Sequence, residues 1–323
     1  MITLGIEGTA HTLGVGIFDS EKEKILADVR KIYKARYGIH PREAAQFLGD
    51  NYSTAINLAL SQANLNFNEI DLIAFSQGPG MGPCLRTIAT GARALALHHK
   101  IPLLGVNHCI AHIEIGKFFS KFLDPLCLYV SGGNTQILKL NHGYYRIFGE
   151  TIDIGIGNML DKFGRELGLE HPAGPKIEEL AKKGKKYIEL PYVVKGTDLS
   201  FSGVLTSAIE KAKFFPLEDV CFSLQETSFA MLAEVTERAL AHLKVNELLL
   251  VGGVANNLRL QEMLSTMVKE HKAKFSFPKG YCSDNGVMIA ILGSKMYSAG
   301  VKQRIEETVV KQNFRADEVK IVW

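Results

Sequence analysis

The segment ITLGIEGTAHTLGVGIFD (2–19) consists of two short apolar stretches joined by a glycine-containing turn, and the same pattern returns at LCLYVSGGNTQILKL (126–140). Each reads as a β-hairpin, and a hairpin must bury one face against further layers. A chain that opens twice in this way is expected to build two related lobes. Their spacing of about 120 residues is too long for a solenoid repeat. A third apolar run, ELLLVGGVANNLRLQEML (247–264), ends in two glycines and enters an amphipathic helix. Between the hairpins, residues 41–65 carry apolar side chains at helical spacing, with Pro41 and Glu43 suited to a first turn. IDLIAFSQGPG and PLLGV read as strands, and LRTIATGARALALHH reads as the helix between them. The succession predicts an α/β fold with mostly buried strands. The expected boundary lies at 118–125, around KFFSKFLDP. It separates lobe I (1–118, with 296–323 packing back on it) from lobe II (119–295). No low-complexity linker intervenes, so the lobes should share an interface and a ligand-binding cleft.

A chain of 323 residues that is 46% hydrophobic can bury a core of this size. The net charge of +3 is compatible with an RNA partner without demanding one. Cysteines 84, 109, 127, 221 and 282 are odd in number and sit in apolar stretches without a CxxC pair, which disfavours a disulfide framework. The opening MITLGIEGTAH is a strand rather than a secretion signal, and no run of 18 apolar residues is present. The expectation is a cytoplasmic protein without membrane spans.

The two glycine-rich turns, GIEGTAHT and VSGGNTQ, let backbone N–H groups approach an anion without Cβ interference. Thr9, Thr12, Ser131, Asn134 and Thr135 can add donors. One such turn is ordinary hairpin chemistry. Two facing each other, with GGVANN at a strand-to-helix junction, point to a nucleotide held between the lobes. Neither a GxxxxGK[ST] loop nor a GxGxxG turn competes.

NHCIAH (107–112) places His108 and His112 on one helix face, four residues apart. Such a pair is either helix-surface or hydrogen-bonded core histidines, or two ligands of one metal. A HExxH protease helix would need a glutamate where Cys109 stands, and the inverted form one where Ala111 stands. YCSDNGVMIA (281–290) offers Asp284 as a third ligand just before a helix.

These stretches, together with GIHPREAA, FSQGPGMGPCLR, FGETIDIGIGNMLDKFGRELGL, DLSFSGV and FRADEVKIVW, resemble a known family from Met1 to Trp323. It is the archaeal and eukaryotic KEOPS catalytic subunit, homologous to bacterial TsaD, in the ASKHA (actin, sugar-kinase, heat-shock ATPase) superfamily. The resemblance implies a two-lobed ASKHA fold with nucleotide and metal in the interlobe cleft. The implied reaction transfers a threonylcarbamoyl group from threonylcarbamoyl-AMP to the exocyclic amine of the adenosine beside the anticodon in ANN-decoding tRNAs. It further implies one divalent metal, iron or zinc, on His108, His112 and Asp284, with Tyr129 as a phenolate ligand. Ser131, Gly132, Gly133 and Asn134 would hold the phosphate, with Tyr129 and Val130 also at the substrate and Glu7, Gly8, Thr9 and His11 as the facing hairpin. Asp161, Gly174 and Glu178 would lie at the ribose, and Asn257 near the adenine. The chain departs from the family at Phe47 and Leu48, where a histidine pair is usual near PREAA, at Ala173 in place of a glycine, and in VANN for VAAN.

Basic runs at 22–36 and 182–186 make Lys31, Lys34, Arg36, Lys183 and Lys185 candidate tRNA contacts. The implied protein partners are a small dimerising subunit, a small kinase/ATPase and an accessory subunit. A non-catalytic ATP-binding scaffold and a metallopeptidase are the competing readings. The first of these could equally be an ASKHA kinase, but kinases of that superfamily have no need of a His–His–Asp metal, and the peptidase lacks its glutamate.

Overall fold

A computed structural model describes residues 1–35 and 38–323. The first lobe opens with β1 (Ile2–Glu7), β2 (Thr12–Asp19) and β3 (Lys24–Ile32), continues through α1 (Pro41–Ala63), β4 (Leu72–Gly78), α2 (Gly82–His99) and β5 (Leu103–Asn107), and leaves by α3 (His108–Ser120). The second opens with β6 (Leu126–Val130), β7 (Thr135–Asn141) and β8 (Tyr144–Glu150). After α4 (Ile156–Glu166) and α5 (Gly174–Ala181), a short ribbon of β9 (Val194–Lys195) and β10 (Asp198–Leu199) precedes α6 (Ser202–Lys211) and α7 (Leu217–Leu243). β11 (Glu247–Val251), α8 (Leu258–Glu270), β12 (Lys274–Ser276) and α9 (Gly286–Ser298) complete it.

The two main sheets share one topology. Their orders are β3-β2-β1-β4-β5 and β8-β7-β6-β11-β12, each with three antiparallel strands followed by two added in parallel. The repeat expected from the two hairpins is therefore a repeat of whole sheets. The 41–65 helix, the strands at 72–78 and 103–107 and the hairpins all lie where the sequence pattern places them.

α3 and α9 form the packing between the sheets. Leu104 and Val106 of the first sheet share one buried cluster with Cys127 and Tyr129 of the second and with α9 residues 287–292. α9, expected with lobe II, lies instead on the first sheet. A Cβ on Gly5 would meet the Gly286 carbonyl oxygen at 2.2 Å, and one on Gly286 would meet the Gly16 nitrogen at 2.2 Å. Only glycine permits this backbone contact. It brings the N-terminus of α9, and Asp284 just before it, to the open end of β1 and β2.

The C-terminal segment follows lobe I as expected only as far as residue 315. Lys311 N–H donates to the Gln77 carbonyl (2.8 Å), and the Asn107 amide donates to the Phe314 carbonyl (3.0 Å). The chain then crosses to lobe II, where Lys320 bridges Tyr144 and Ile321 N–H reaches the Gly143 carbonyl (2.7 Å). No helix among the described residues is long and apolar enough to cross a membrane.

Candidate metal and nucleotide site

α3 begins where β5 ends, and the Asn107 side chain caps it by accepting from Ile110 N–H (3.0 Å). The cap sets the helix phase, which aims His108 and His112 at the loop before α9. Asn285 caps α9 in the same way, accepting from Met288 N–H (2.9 Å), and so fixes Asp284. Asp284 Oδ1 lies 3.3 Å from His112 Nε2 and 3.6 Å from His108 Nε2. One donor atom from each of the three residues fits within a 4.8 Å cluster.

The other side of His108 is held by Glu7 at the end of β1. Glu7 is fully buried. Its Oε2 is 3.0 Å from His108 Nδ1, and its Oε1 accepts from Thr9 N–H (2.8 Å) and Thr9 Oγ1–H (2.7 Å). A carboxylate at Nδ1 selects the tautomer that leaves Nε2 free to ligate, as outer-shell partners of metal-bound histidines do. No lysine or arginine forms an ion pair with Glu7 or Asp284 among the described residues. The buried Glu7 and the partly exposed Asp284 carry two negative charges against at most one imidazolium, and a divalent cation would offset the excess. The donor set of two imidazoles and a carboxylate suits zinc or iron(II). The residues fit a metal.

The ionisation pattern follows from the same contacts. Burial opposes charge on His108, but the Glu7 carboxylate, its hydrogen bond and Asp284 outweigh it and lift the imidazole to about 9. Burial lowers His112, with Asp284 working against that and His108 adding to it. Burial would raise Asp284, yet the hydrogen bond to His112 and the charge of His108 hold it well below the usual carboxylate range. Tyr129 is buried beside His112, with ring centroids 5.5 Å apart. Burial and the Cys109 thiol keep its phenol protonated far above neutral pH.

The second hairpin turn is built to face outward. Ser131 N–H donates to the Asn134 carbonyl (2.8 Å), and Asn134 N–H donates to Ser131 Oγ (3.1 Å), closing the turn. The start of α4 then consumes the turn's carbonyls: Gly157 N–H reaches Ser131 (3.1 Å) and Asn158 N–H reaches Gly132 (2.9 Å). Gly132 and Gly133 are exposed, and a Cβ at Gly133 would meet nothing within 4 Å. Such a turn presents its N–H groups to an anion. Val130 ends the strand below it and is fully buried.

The first hairpin is arranged differently. Gly8 N–H donates to Ser76 Oγ (3.1 Å), and the Thr9 donors are taken by Glu7, so only the tip at Ala10 and His11 faces lobe II. His11 meets His171 edge-on, with centroids 5.4 Å apart. His171 Nε2 lies 3.2 Å from Asp161 Oδ2, and Asp161 Oδ1 accepts from Ala173 N–H (2.8 Å). Gly174 begins α5, and Glu178 on that helix accepts from Leu258 N–H (3.1 Å). Asn257 is the α8 cap, accepting from Arg259 N–H (2.9 Å) and donating to Gln225 (3.0 Å), so its polar atoms are committed within lobe II. Its neighbour Asn256 is exposed and donates to Ser283 Oγ (2.9 Å), tying the glycine turn to the Asp284 loop.

Of the candidate RNA contacts, Lys31 is on β3, Lys34 follows it, and Lys183 and Lys185 follow α5 on the other lobe. Arg36 lies outside the described residues. Sequence reasoning missed the contacts of Glu7 with His108, of Ser76 with Gly8 and of His171 with His11 and Asp161. All but the His171–Asp161 contact join segments far apart in the chain, and no local pattern signals them.

The fold is of the ASKHA type. HypF from Thermococcus kodakarensis superposes with a TM-score of 0.65 at 17% identity, over 95% of this chain and 48% of that one. The (R)-2-hydroxyglutaryl-CoA dehydratase component A of Acidaminococcus fermentans superposes with a TM-score of 0.56 at 13% identity, over 92% and 99% of the two chains. Sequence relatives are much nearer. The tRNA N6-adenosine threonylcarbamoyltransferases of Thermococcus sibiricus and Thermococcus kodakarensis are each 57% identical over the full length of both chains. A probable bifunctional tRNA threonylcarbamoyladenosine biosynthesis protein of Methanobrevibacter smithii is 53% identical over all of this chain and 60% of its own length. The family model for TsaD, tRNA N6-adenosine threonylcarbamoyltransferase, matches residues 23–291. With that match and full-length relatives above half identity, the chain belongs to the TsaD family of tRNA N6-adenosine threonylcarbamoyltransferases.

Proposed function

We propose that this cleft transfers a threonylcarbamoyl group from threonylcarbamoyl-AMP to the exocyclic amine of the adenosine beside the anticodon in ANN-decoding tRNAs. The observation that carries the reading is the closeness of the His108–His112–Asp284 donor cluster to the outward-facing Ser131–Asn134 turn, whose Asn134 amide donates to Cys109 Sγ on the histidine helix at 3.8 Å. The amine nitrogen bonds to the carbamoyl carbon, the bond from that carbon to the phosphate oxygen breaks, AMP leaves, and the amine proton passes to solvent. The turn's N–H groups would hold the phosphate as negative charge grows on it. A divalent metal, iron or zinc, on His108, His112 and Asp284 with Tyr129 beside them would supply Lewis acidity toward the carbonyl. Glu7 positions His108, and the hairpin tip at His11 meets lobe II over the cleft. Asp161, Gly174 and Glu178 line the ribose side, and Asn257 supports the adenine side through the α8 cap. Holding a weak amine nucleophile against a fixed acyl group is the main catalytic task.

A tRNA substrate places the protein in the cytoplasm, as the catalytic subunit of a KEOPS-type complex with its dimerising, kinase and accessory partners. The test supplies the chain and those partners with tRNA and donor labelled in the threonyl group. Label should appear on tRNA with wild-type chain and vanish with His108→Ala. Label transfer undiminished by His108→Ala would refute the reading.

A further inference from the structure

The lysine run at 182–186 does not stand alone on the surface. The 184–186 turn packs on the first turn of α7: a Cβ on Gly184 would meet the Glu218 carbonyl oxygen at 2.6 Å, and Lys185 and Lys186 donate their backbone N–H groups to Asp219 Oδ1 at 2.7 and 3.0 Å. That turn of α7 immediately follows Lys213, Phe214 and Phe215. Lys211 reaches back to the Glu189 carbonyl and ties the α6 end to the same segment. Two stretches separated by about thirty residues therefore form one surface.

The chemistry of that surface is unusual for solvent. Phe214 is 80% exposed and Tyr187 is 51% exposed. The Tyr187 hydroxyl is held 2.9 Å from Thr227 Oγ1, which fixes its ring. The ammonium groups of Lys185, Lys186 and Lys213 make no ion pair among the described residues, whereas Lys182 and Lys183 are offset by Glu178 and Glu179. Asp219 is spent on backbone N–H groups. Protein–protein interface cores are depleted in lysine. Exposed rings interleaved with unpaired cations are the pattern for single-stranded nucleic acid, with cations on phosphates and rings on bases. The patch also lies at the far end of α5 from Gly174, which the proposed function assigns to the ribose side. Eight residues of helix span only about 12 Å.

We propose that this surface is an RNA-docking patch, in which Lys185, Lys186 and Lys213 take phosphates and Phe214 and Tyr187 stack on unpaired bases of a tRNA whose target adenosine lies in the cleft. The proposal rests on the tRNA reading above and adds a second point of contact to it. The test is a salt titration of tRNA affinity by fluorescence anisotropy on the chain assembled with its partner subunits. Phe214→Ala should weaken binding roughly five- to hundred-fold with the salt slope unchanged, and Phe214→Tyr should restore it. Combined Lys185→Gln, Lys186→Gln and Lys213→Gln should flatten the slope by about three units, one per lost phosphate. Wild-type binding that neither set of changes alters would overturn the patch and leave the transferase reading intact, and the surface would then be solvated or covered by a protein. A wild-type complex with no tRNA affinity at any salt would overturn both. Thermal midpoints of the variants, expected unchanged at these exposed positions, exclude unfolding as the cause.

Discussion

Glu7→Gln is nearly isosteric, yet the structure predicts a large effect. Every group facing the carboxylate is a donor: His108 Nδ1–H at 3.0 Å, Thr9 N–H at 2.8 Å and Thr9 Oγ1–H at 2.7 Å. A glutamine replaces one acceptor end with a donor. Turned toward Thr9, its amide opposes two buried donors. Turned toward His108, it forces the proton onto Nε2, the atom meant to ligate. Each unsatisfied buried group costs about 1–3 kcal/mol, so a stability loss on the order of 2–4 kcal/mol is expected in the metal-free chain. Metal affinity should fall about 10- to 100-fold, the usual cost of losing an outer-shell partner. The assay is zinc competition against a chromophoric chelator, paired with thermal unfolding after chelation. Equal zinc affinity in wild type and Glu7→Gln would refute the tautomer argument.

Further expectations follow from the same contacts. In the metal-free chain, the His108–Glu7 pair stabilises fully below about pH 6.5, and this contribution is lost as pH rises through about 9, because the folded imidazole holds its proton more tightly than the unfolded one. The difference is on the order of 3 kcal/mol, readable as a falling thermal midpoint between pH 6.5 and 9. Metal affinity should move oppositely, strengthening as pH rises and the proton leaves. Gly133→Val, at an open position, should leave the fold intact and weaken adenylate binding measured by calorimetry. Gly157→Ala should damage the turn itself, since its Cβ would meet the Ser131 carbonyl oxygen at 2.7 Å, and unfolding should occur at lower denaturant. Glu114 on α3 is buried against Lys295 of α9 at 2.7 Å. Lys295→Met should therefore cost roughly 1–3 kcal/mol in denaturant unfolding, because the buried carboxylate keeps only the longer contact with Lys117 at 3.8 Å.

The sheets were legible because hairpins and apolar runs are local patterns, and the repeated opening carried over to a repeated sheet order. The His108–His112 pair was legible because four-residue spacing on a helix is local geometry. Glu7 was visible only as a member of a glycine-rich turn, since its partner lies 101 residues away and a lone carboxylate at a strand end marks no pairing. The placement of α9 was misread for a related reason. Its position depends on glycines 5, 16 and 286 letting backbones touch, and a glycine in a strand does not reveal what approaches it. Asn257 carried a readable signal, an asparagine just before an apolar helix, and that signal means a cap. The aromatic edge of the basic surface was hidden because Phe214 reads as a core residue until its exposure is known.

Metal titration of activity tests the central claim most directly. The chain, stripped of metal by a chelator and assembled with its partners, is given tRNA and threonylcarbamoyl-AMP, and modified adenosine is quantified as iron or zinc is added back. The account predicts negligible product without metal, a rise that saturates at one equivalent per chain, and no rise in His112→Ala at any addition. Full product from the stripped chain, or restoration in His112→Ala equal to wild type, would contradict it.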